Sequence, residues 1–301
     1  MCGIVGLFSK NPNISGSLGA YFTDMLDMMG ERGSDSAGFA IYRNDQAEQE
    51  LNIKICLFHN SENFRWENFL QKFSQDLNCE FKHEAILNHL LLTTNCNLNV
   101  FTTWLRSTFP EINIMSAGEK IEIYKEKGFP KEVANRFNVS ELTGSHAIGH
   151  TRMATESAVT TAHSHPFSTG LDICLVHNGS LSNHHKLRRF LIRNNISFQS
   201  DNDSEVASGY LSYLLSQGNS LKESLEKSID ELDGFYTFAV GTKNGFAVLR
   251  DPIACKPAVL AETDDWVAMA SEFRALAHLP NIENAEIWEP APATVYSWEL
   301  N

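Results

Sequence analysis

Short runs that are apolar on both faces recur through this chain with helical patterns between them, and that alternation limits the fold more than any other feature. The first run, residues 3–8, begins almost at the amino terminus; others follow at 39–42, 121–124, 146–150, 173–177, 236–242, 246–250 and 266–271. A strand without a polar face must be covered on both sides. Helices fit at 18–29, where Leu18, Tyr21, Phe22, Met25, Leu26 and Met29 share one stripe, and at 182–194, 204–216 and 220–232. The pattern predicts an α+β fold of stacked sheets flanked by helices. No repeat, Pro- or Gly-rich linker or low-complexity run divides the chain, so residues 1–301 read as a single domain. Residues from about 45 to 118 differ in character. Trp66, Phe69, Leu70, Phe73 and Leu77, then Ile86 and Leu90, recur at helical spacing, which predicts a mainly helical insertion. Its aromatic residues, Phe64, Trp66, Phe69 and Phe73, make it the candidate for partner docking.

Charge excludes two classes of partner. Lys and Arg total 24 against 37 Asp and Glu, a net charge of -13, which repels phosphate backbones and anionic lipid. The densest basic cluster, Lys186, Arg188, Arg189 and Arg193, is interleaved with Leu187, Phe190, Leu191 and Ile192 and reads as the polar face of an amphipathic helix. Neither nucleic acid nor membrane is expected as partner. The six cysteines are scattered without a CxxC pair, and the start Met1-Cys2-Gly3-Ile4-Val5-Gly6 is not a signal peptide. Nothing approaches the roughly 18 apolar residues of a membrane span. A cytoplasmic location is expected, where Cys2 persists as a free thiol. His163 and His165 have no nearby Cys or carboxylate to complete a ligand set, so no metal is expected, and no cofactor motif is present.

Four motifs carry chemistry. Cys2 becomes the amino terminus once Met1 is trimmed, which places a thiol of pKa ~8.5 beside an α-amine of ~7.7–8.0 that can take its proton. Gly149-His150-Thr151-Arg152-Met153-Ala154-Thr155 ends a strand; Arg152 is a candidate carboxylate clamp, or a turn arginine. His177-Asn178-Gly179 offers an amide and a backbone N–H aimed at one point, as an oxyanion hole requires, and read alone it is equally a hairpin turn. Asp201-Asn202-Asp203-Ser204-Glu205 precedes a helix; Asp203 can hold an ammonium group or, like Ser204, cap that helix.

In their order these motifs, together with Arg32-Gly33-Ser34-Asp35-Ser36-Ala37-Gly38, closely resemble the class II glutamine amidotransferases of the N-terminal-nucleophile hydrolase superfamily. The resemblance continues through Asp233-Gly234-Phe235-Tyr236, Arg250-Asp251-Pro252 with Lys256-Pro257, and Ala270-Ser271-Glu272, covering residues 1–43 and about 118–280. It implies a four-layer αββα sandwich. It implies that Cys2 attacks the glutamine side-chain amide, that Asn178 and Gly179 hold the oxyanion, and that Arg152, Thr155 and Asp203 bind substrate, with Arg32 bracing the nucleophile. Met153 and Glu156 stand where many members have an aromatic residue and a His, and Ala162-His163-Ser164-His165-Pro166 differs by one residue from the family's Ala-His-Pro-His segment.

In this family an ammonia-consuming domain usually follows, and no such motif follows here. The ammonia is therefore expected to go to a separate synthase subunit, flavin-containing, of the glutamate synthase-like or N-methylglutamate synthase type. The alternatives are a γ-glutamyl transferase acting on an amine such as methylamine, an N-terminal-nucleophile amidase for a different substrate, which Arg152 and Asp203 argue against, and a non-catalytic scaffold subunit. The co-occurrence of Cys2, Asn178 and Gly179 argues against the scaffold.

Overall fold

The computed structural model describes residues 2–43, 51–153 and 159–300. The chain opens with β1 (Gly3–Ser9), a short α1 (Pro12–Gly16), α2 (Leu18–Met28) and β2 (Ser36–Tyr42). The inserted region supplies β3 (Ile53–Phe58), α3 (Glu67–Leu77), β4 (Phe81–Ile86), β5 (His89–Thr94), α4 (Leu98–Thr108) and β6 (Asn113–Gly118). After it come β7 (Ile121–Lys127), α5 (Pro130–Arg136), β8 (His146–Arg152), β9 (Ile173–Leu181), α6 (His184–Arg193), α7 (Asp203–Ser216) and α8 (Leu221–Glu231). The last elements are β10 (Gly234–Thr242), β11 (Gly245–Arg250), β12 (Val259–Glu262), β13 (Trp266–Ala270), β14 (Glu286–Trp288) and β15 (Val295–Glu299).

Two sheets stack face to face. One runs β14-β12-β13-β1-β8-β2-β7 and the other β15-β11-β10-β9. Alternation along each strand distributes side chains between layers. In β1, Ile4 and Phe8 enter the core between the sheets with Ile148, Val176 and Val248. Val5 and Leu7 face the other way and pack under α2 and α5, against Phe22, Leu26 and Val133. Beyond the second sheet, Leu175, Phe238 and Leu249 meet Leu187 and Leu191 of α6, Val206 and Leu211 of α7 and Leu225 of α8. The order of layers is helix, sheet, sheet, helix, as the resemblance implied.

The insertion is not mainly helical. It holds a third sheet, ordered β4-β5-β3-β6, with α3 and α4 against it. The helical spacing of Phe69 and Phe73 was real and belongs to α3. That of Ile86 and Leu90 spans a hairpin, because Leu87 adopts φ 56° and reverses the chain between β4 and β5. The aromatic residues offered for docking instead build a local core: Trp66, Phe69 and Phe73 are buried, and Phe64 packs against them. The insertion also shares the main core, since Cys56 and Phe58 of β3 join the layer between the two large sheets.

Candidate active site

β1 is a central strand, paired on one side with β13 and on the other with β8. Its entry therefore lies inside the sheet, and Cys2 stands at that entry. In register, Ile4 pairs with His150, and β2 sets Gly38 beside His150 and Ser36 beside Arg152. Paired residues and those two along share a face, so Ile4, His150 and Arg152 all project toward the second sheet. Cys2, His150 and Arg152 line a cavity of about 450 Å³.

Two further elements close that cavity. Gly38 allows the first to approach: a Cβ there would lie 2.2 Å from the carbonyl oxygen of His165, so a side chain would push the histidine-bearing loop off the sheet. The second is β9, which carries Asn178 and Gly179. The Asn-Gly pair is not a turn, because β9 runs straight through it, with Asn178 opposite Thr237 and Gly179 opposite Tyr236. Gly179 takes φ 150°, and a Cβ would sit 1.9 Å from the Phe235 carbonyl oxygen, so only glycine fits.

The structure brings the anticipated residues together, with one exception. Asn178 Nδ2 donates to the Cys2 carbonyl oxygen at 3.2 Å and to Ser271 Oγ at 3.3 Å. Arg32 Nε donates to the same Cys2 carbonyl at 2.9 Å while Nη1 pairs with Glu272 Oε1 at 2.6 Å. Arg152 and Asp203 line the cavity with Gly179. The helix cap is Asn202, whose side chain accepts from Ser204 N at 2.8 Å, which leaves the Asp203 carboxylate for other partners. Asp203 Oδ2 accepts from Leu181 N at 2.9 Å. Thr155 and Glu156 lie outside the described residues. His163 and His165 point to different places: His163 reaches Asp201 at 3.1 Å, and His165 enters the cavity.

Several lining residues had no catalytic or substrate-binding role in the sequence reading: His150, His165, His177, Ser204, Cys255 and Lys256. Three of these are imidazoles exposed by only 1%, 7% and 3% (His150, His165, His177). Ser204 Oγ bridges His165 Nε2 at 2.9 Å and His177 Nδ1 at 2.8 Å. Their signal was available in part, because His150 stands two residues before Arg152 in a strand and so must share its face.

Electrostatics favour an ionised sulfur. Burial raises the Cys2 thiol pKa, but a hydrogen-bonding and charge interaction with His150 and the Met153 carbonyl outweigh it, bringing the thiol down to about 7. Burial lowers His165 well below its ordinary range and brings His177 down to about 4 despite the nearby Asp203, so both stay neutral. The arrangement combines a thiol of lowered pKa, the Asn178 amide and Gly179 beside it, and a cation and an anion in one cavity. That is what acyl transfer on an α-amino acid side chain requires. All six cysteines are free thiols, and no helix among the described residues is long and apolar enough to cross a membrane.

Comparison with known proteins agrees with this geometry. Residues 150–278 match the glutamine amidotransferase domain family. The glutamine amidotransferase-like protein GlxB of Rhizobium meliloti is 50% identical over 300 residues, covering 99% of this chain and 98% of that protein. A protein of Methanothermobacter thermautotrophicus, provisionally named a glutamine amidotransferase, is 33% identical over 98% of this chain and 99% of its own length. Among solved structures, glutamine phosphoribosylpyrophosphate amidotransferase from B. subtilis superposes with a TM-score of 0.58 at 18% identity. The match covers 99% of this chain and 49% of that one, so this chain spans about half of it.

Proposed function

This chain belongs to the class II glutamine amidotransferases, and from that premise we propose that it cleaves the glutamine side-chain amide through Cys2 and delivers the ammonia to a separate synthase subunit. The reading is carried by one observation: Cys2, Asn178, Gly179, Arg152 and Asp203, scattered through the sequence, line a single cavity of about 450 Å³.

With Met1 removed, the α-amine of Cys2 takes the thiol proton and the sulfur attacks the amide carbon. The carbonyl π electrons move to oxygen, and Asn178 Nδ2 and the Gly179 N–H hold the oxyanion. As the tetrahedral intermediate collapses, the C–N bond breaks, the α-ammonium returns its proton to nitrogen, and ammonia leaves a γ-glutamyl thioester. Water, deprotonated by the same amine, releases glutamate. Arg152 pairs with the substrate α-carboxylate and Asp203 with its α-ammonium group; Thr155 lines the pocket, and Arg32 holds the Cys2 carbonyl. The substitution Asn178→Ala is expected to lower kcat by about 10²–10³ with little change in KM, because the donor acts on the transition state. Steady-state glutamine hydrolysis checks this.

The acceptor is placed on another polypeptide, a flavin-bearing synthase subunit of the glutamate synthase-like or N-methylglutamate synthase type that the sequence resemblance indicates. The two relatives matched over 98% and 99% of their own length support the separation, since neither has length left for an ammonia-consuming domain. The free cysteines suit the reducing cytoplasm. The test is to mix the chain with glutamine, quench in acid and weigh the intact protein, with and without methylamine. A γ-glutamyl group on the Cys2 peptide, with glutamate as product, supports the reading. Accumulation of γ-glutamylmethylamide would make the chain a transferase to amines, and no adduct in a Met1-free protein would overturn the nucleophile.

A further inference from the structure

Ser204 stands where three elements meet and has no part in the mechanism above. It is buried at the start of α7, and its hydroxyl has three partners. His165 Nε2, from the loop before β9, lies 2.9 Å away, and His177 Nδ1, from β9 itself, 2.8 Å. The third is Asp203 Oδ1 at 3.3 Å. Both rings are anchored. Lys125 Nζ, buried on β7, donates to the carbonyls on either side of His165, Ser164 O at 2.8 Å and Pro166 O at 3.3 Å. His177 sits in the β9–β10 ladder opposite Phe238. The proton count then admits one arrangement that makes all three contacts. A hydroxyl donates once and accepts twice, and an ionised carboxylate only accepts. Asp203 therefore takes the Ser204 proton, and both rings donate to the Ser204 oxygen. Burial keeps both imidazoles neutral, so each has a single N–H, on Nε2 in His165 and on Nδ1 in His177. The nitrogens left bare are His165 Nδ1 and His177 Nε2. Those are the ring atoms of this pair that are buried without a hydrogen-bond partner among the described residues, so no ring N–H is left unpaired.

We propose that Ser204 is the positioning residue for the ammonium end of this site: its one hydroxyl fixes the Asp203 carboxylate and sets the tautomers of His165 and His177. This deepens the proposed function and rests on its reading of Asp203 as the partner of the substrate α-ammonium group. Ser204 holds Oδ1, and the Leu181 N–H holds Oδ2 at 2.9 Å. The carboxylate is thereby fixed in one orientation, with a further lone pair on each oxygen for the substrate. Without the hydroxyl, Oδ1 loses its tether and two buried ring N–H groups lose their acceptor. None of the three hydroxyl contacts reaches Cys2 or Asn178. Ser204 therefore acts on how tightly glutamine is held rather than on how fast it is cleaved.

Two readouts separate this role from general packing. In the wild type, NMR of isotope-labelled histidine rings is expected to show His165 as the Nε2–H tautomer and His177 as the Nδ1–H tautomer. Each ring is assigned by its disappearance in His165→Gln or His177→Gln. The opposite tautomer at either ring would overturn the proposal, because the hydroxyl would then give its proton to a histidine and not to Asp203. In Ser204→Ala, KM for glutamine should rise about 10-fold or more, the loss of one hydrogen bond to a charged group, with kcat within a factor of about three. Calorimetric titration of glutamine into Cys2→Ala, with and without Ser204→Ala, should show the same ratio in Kd. An unchanged KM, or a loss confined to kcat, would overturn the proposal. Circular dichroism checks the fold of the alanine variant, and the wild-type tautomers decide the matter if it misfolds. The expected tautomers in a protein that neither binds nor hydrolyses glutamine would support the Ser204 contacts and count against the proposed function instead.

Discussion

Cys2→Ala is expected to abolish glutamine hydrolysis, a loss of about 10⁶-fold, the scale seen when a catalytic nucleophile is removed. Alanine retains the backbone carbonyl to which Arg32 and Asn178 donate, so the cavity should keep its shape and glutamine should still bind. The expected signature is therefore loss of turnover with retained binding, measured by steady-state ammonia release and by calorimetric titration with glutamine. Intact mass must first show that Met1 is gone, because the mechanism draws its base from the α-amine of Cys2. The wild type adds a second check through pH. With the thiol brought down to about 7, the reactive thiolate is lost as pH falls through that value and gained as pH rises through it. The rate should accordingly climb from pH 6 to 8 as the thiol and the α-amine lose their protons. Residual turnover in Cys2→Ala above about 1% of wild type would show that another group attacks the amide.

How far the chain was legible before folding can be argued from a few residues. The layered core was legible because Ile4 and Val5 are adjacent and both apolar, and the structure sends one to each side of the sheet. The site residues were legible through motif order, since chain separation says nothing of distance: Cys2 and Asn178, 176 positions apart, are in contact only because β1 and β9 lie in facing sheets. The insertion was misread where turn chemistry is unusual. A tight reversal normally advertises itself with Gly or Asn at positive φ, and here Leu87 takes that conformation. Asn178-Gly179 shows the converse: it has the turn signature yet continues a strand, because its glycine meets the Phe235 carbonyl rather than a bend. His150 and His177 were passed over because a histidine in an apolar strand has no local mark that separates a packed ring from a working one.

The second large effect concerns how the insertion is joined to the body. Glu122 of β7 is fully buried, and its carboxylate receives Lys54 Nζ of β3 at 2.7 Å, Arg43 Nη1 at 3.3 Å and the Tyr124 hydroxyl at 3.2 Å. Burial, and after it the neighbouring Glu122 carboxylate, push the nearby Cys56 thiol up to about 12. Lys54 belongs to the inserted sheet and Glu122 to the large one, so this pair crosses the junction between them. A buried pair contributes little over a well-packed apolar one, but removing one member leaves the other charge without its counter-ion in a poorly hydrated place. Glu122→Ala is therefore expected to destabilise the chain by about 3–5 kcal/mol, read as a lowered urea midpoint at unchanged slope. The double substitution Lys54→Met with Glu122→Leu should recover most of that loss, because it removes both charges and keeps the volume. If Glu122→Ala instead lowers the slope and splits the transition in two, the junction is what makes insertion and body unfold as one unit. A change under about 1 kcal/mol would mean that Arg43 and Lys54 find water at the junction, and that apolar packing, including Cys56, Phe58 and Met115, holds the insertion.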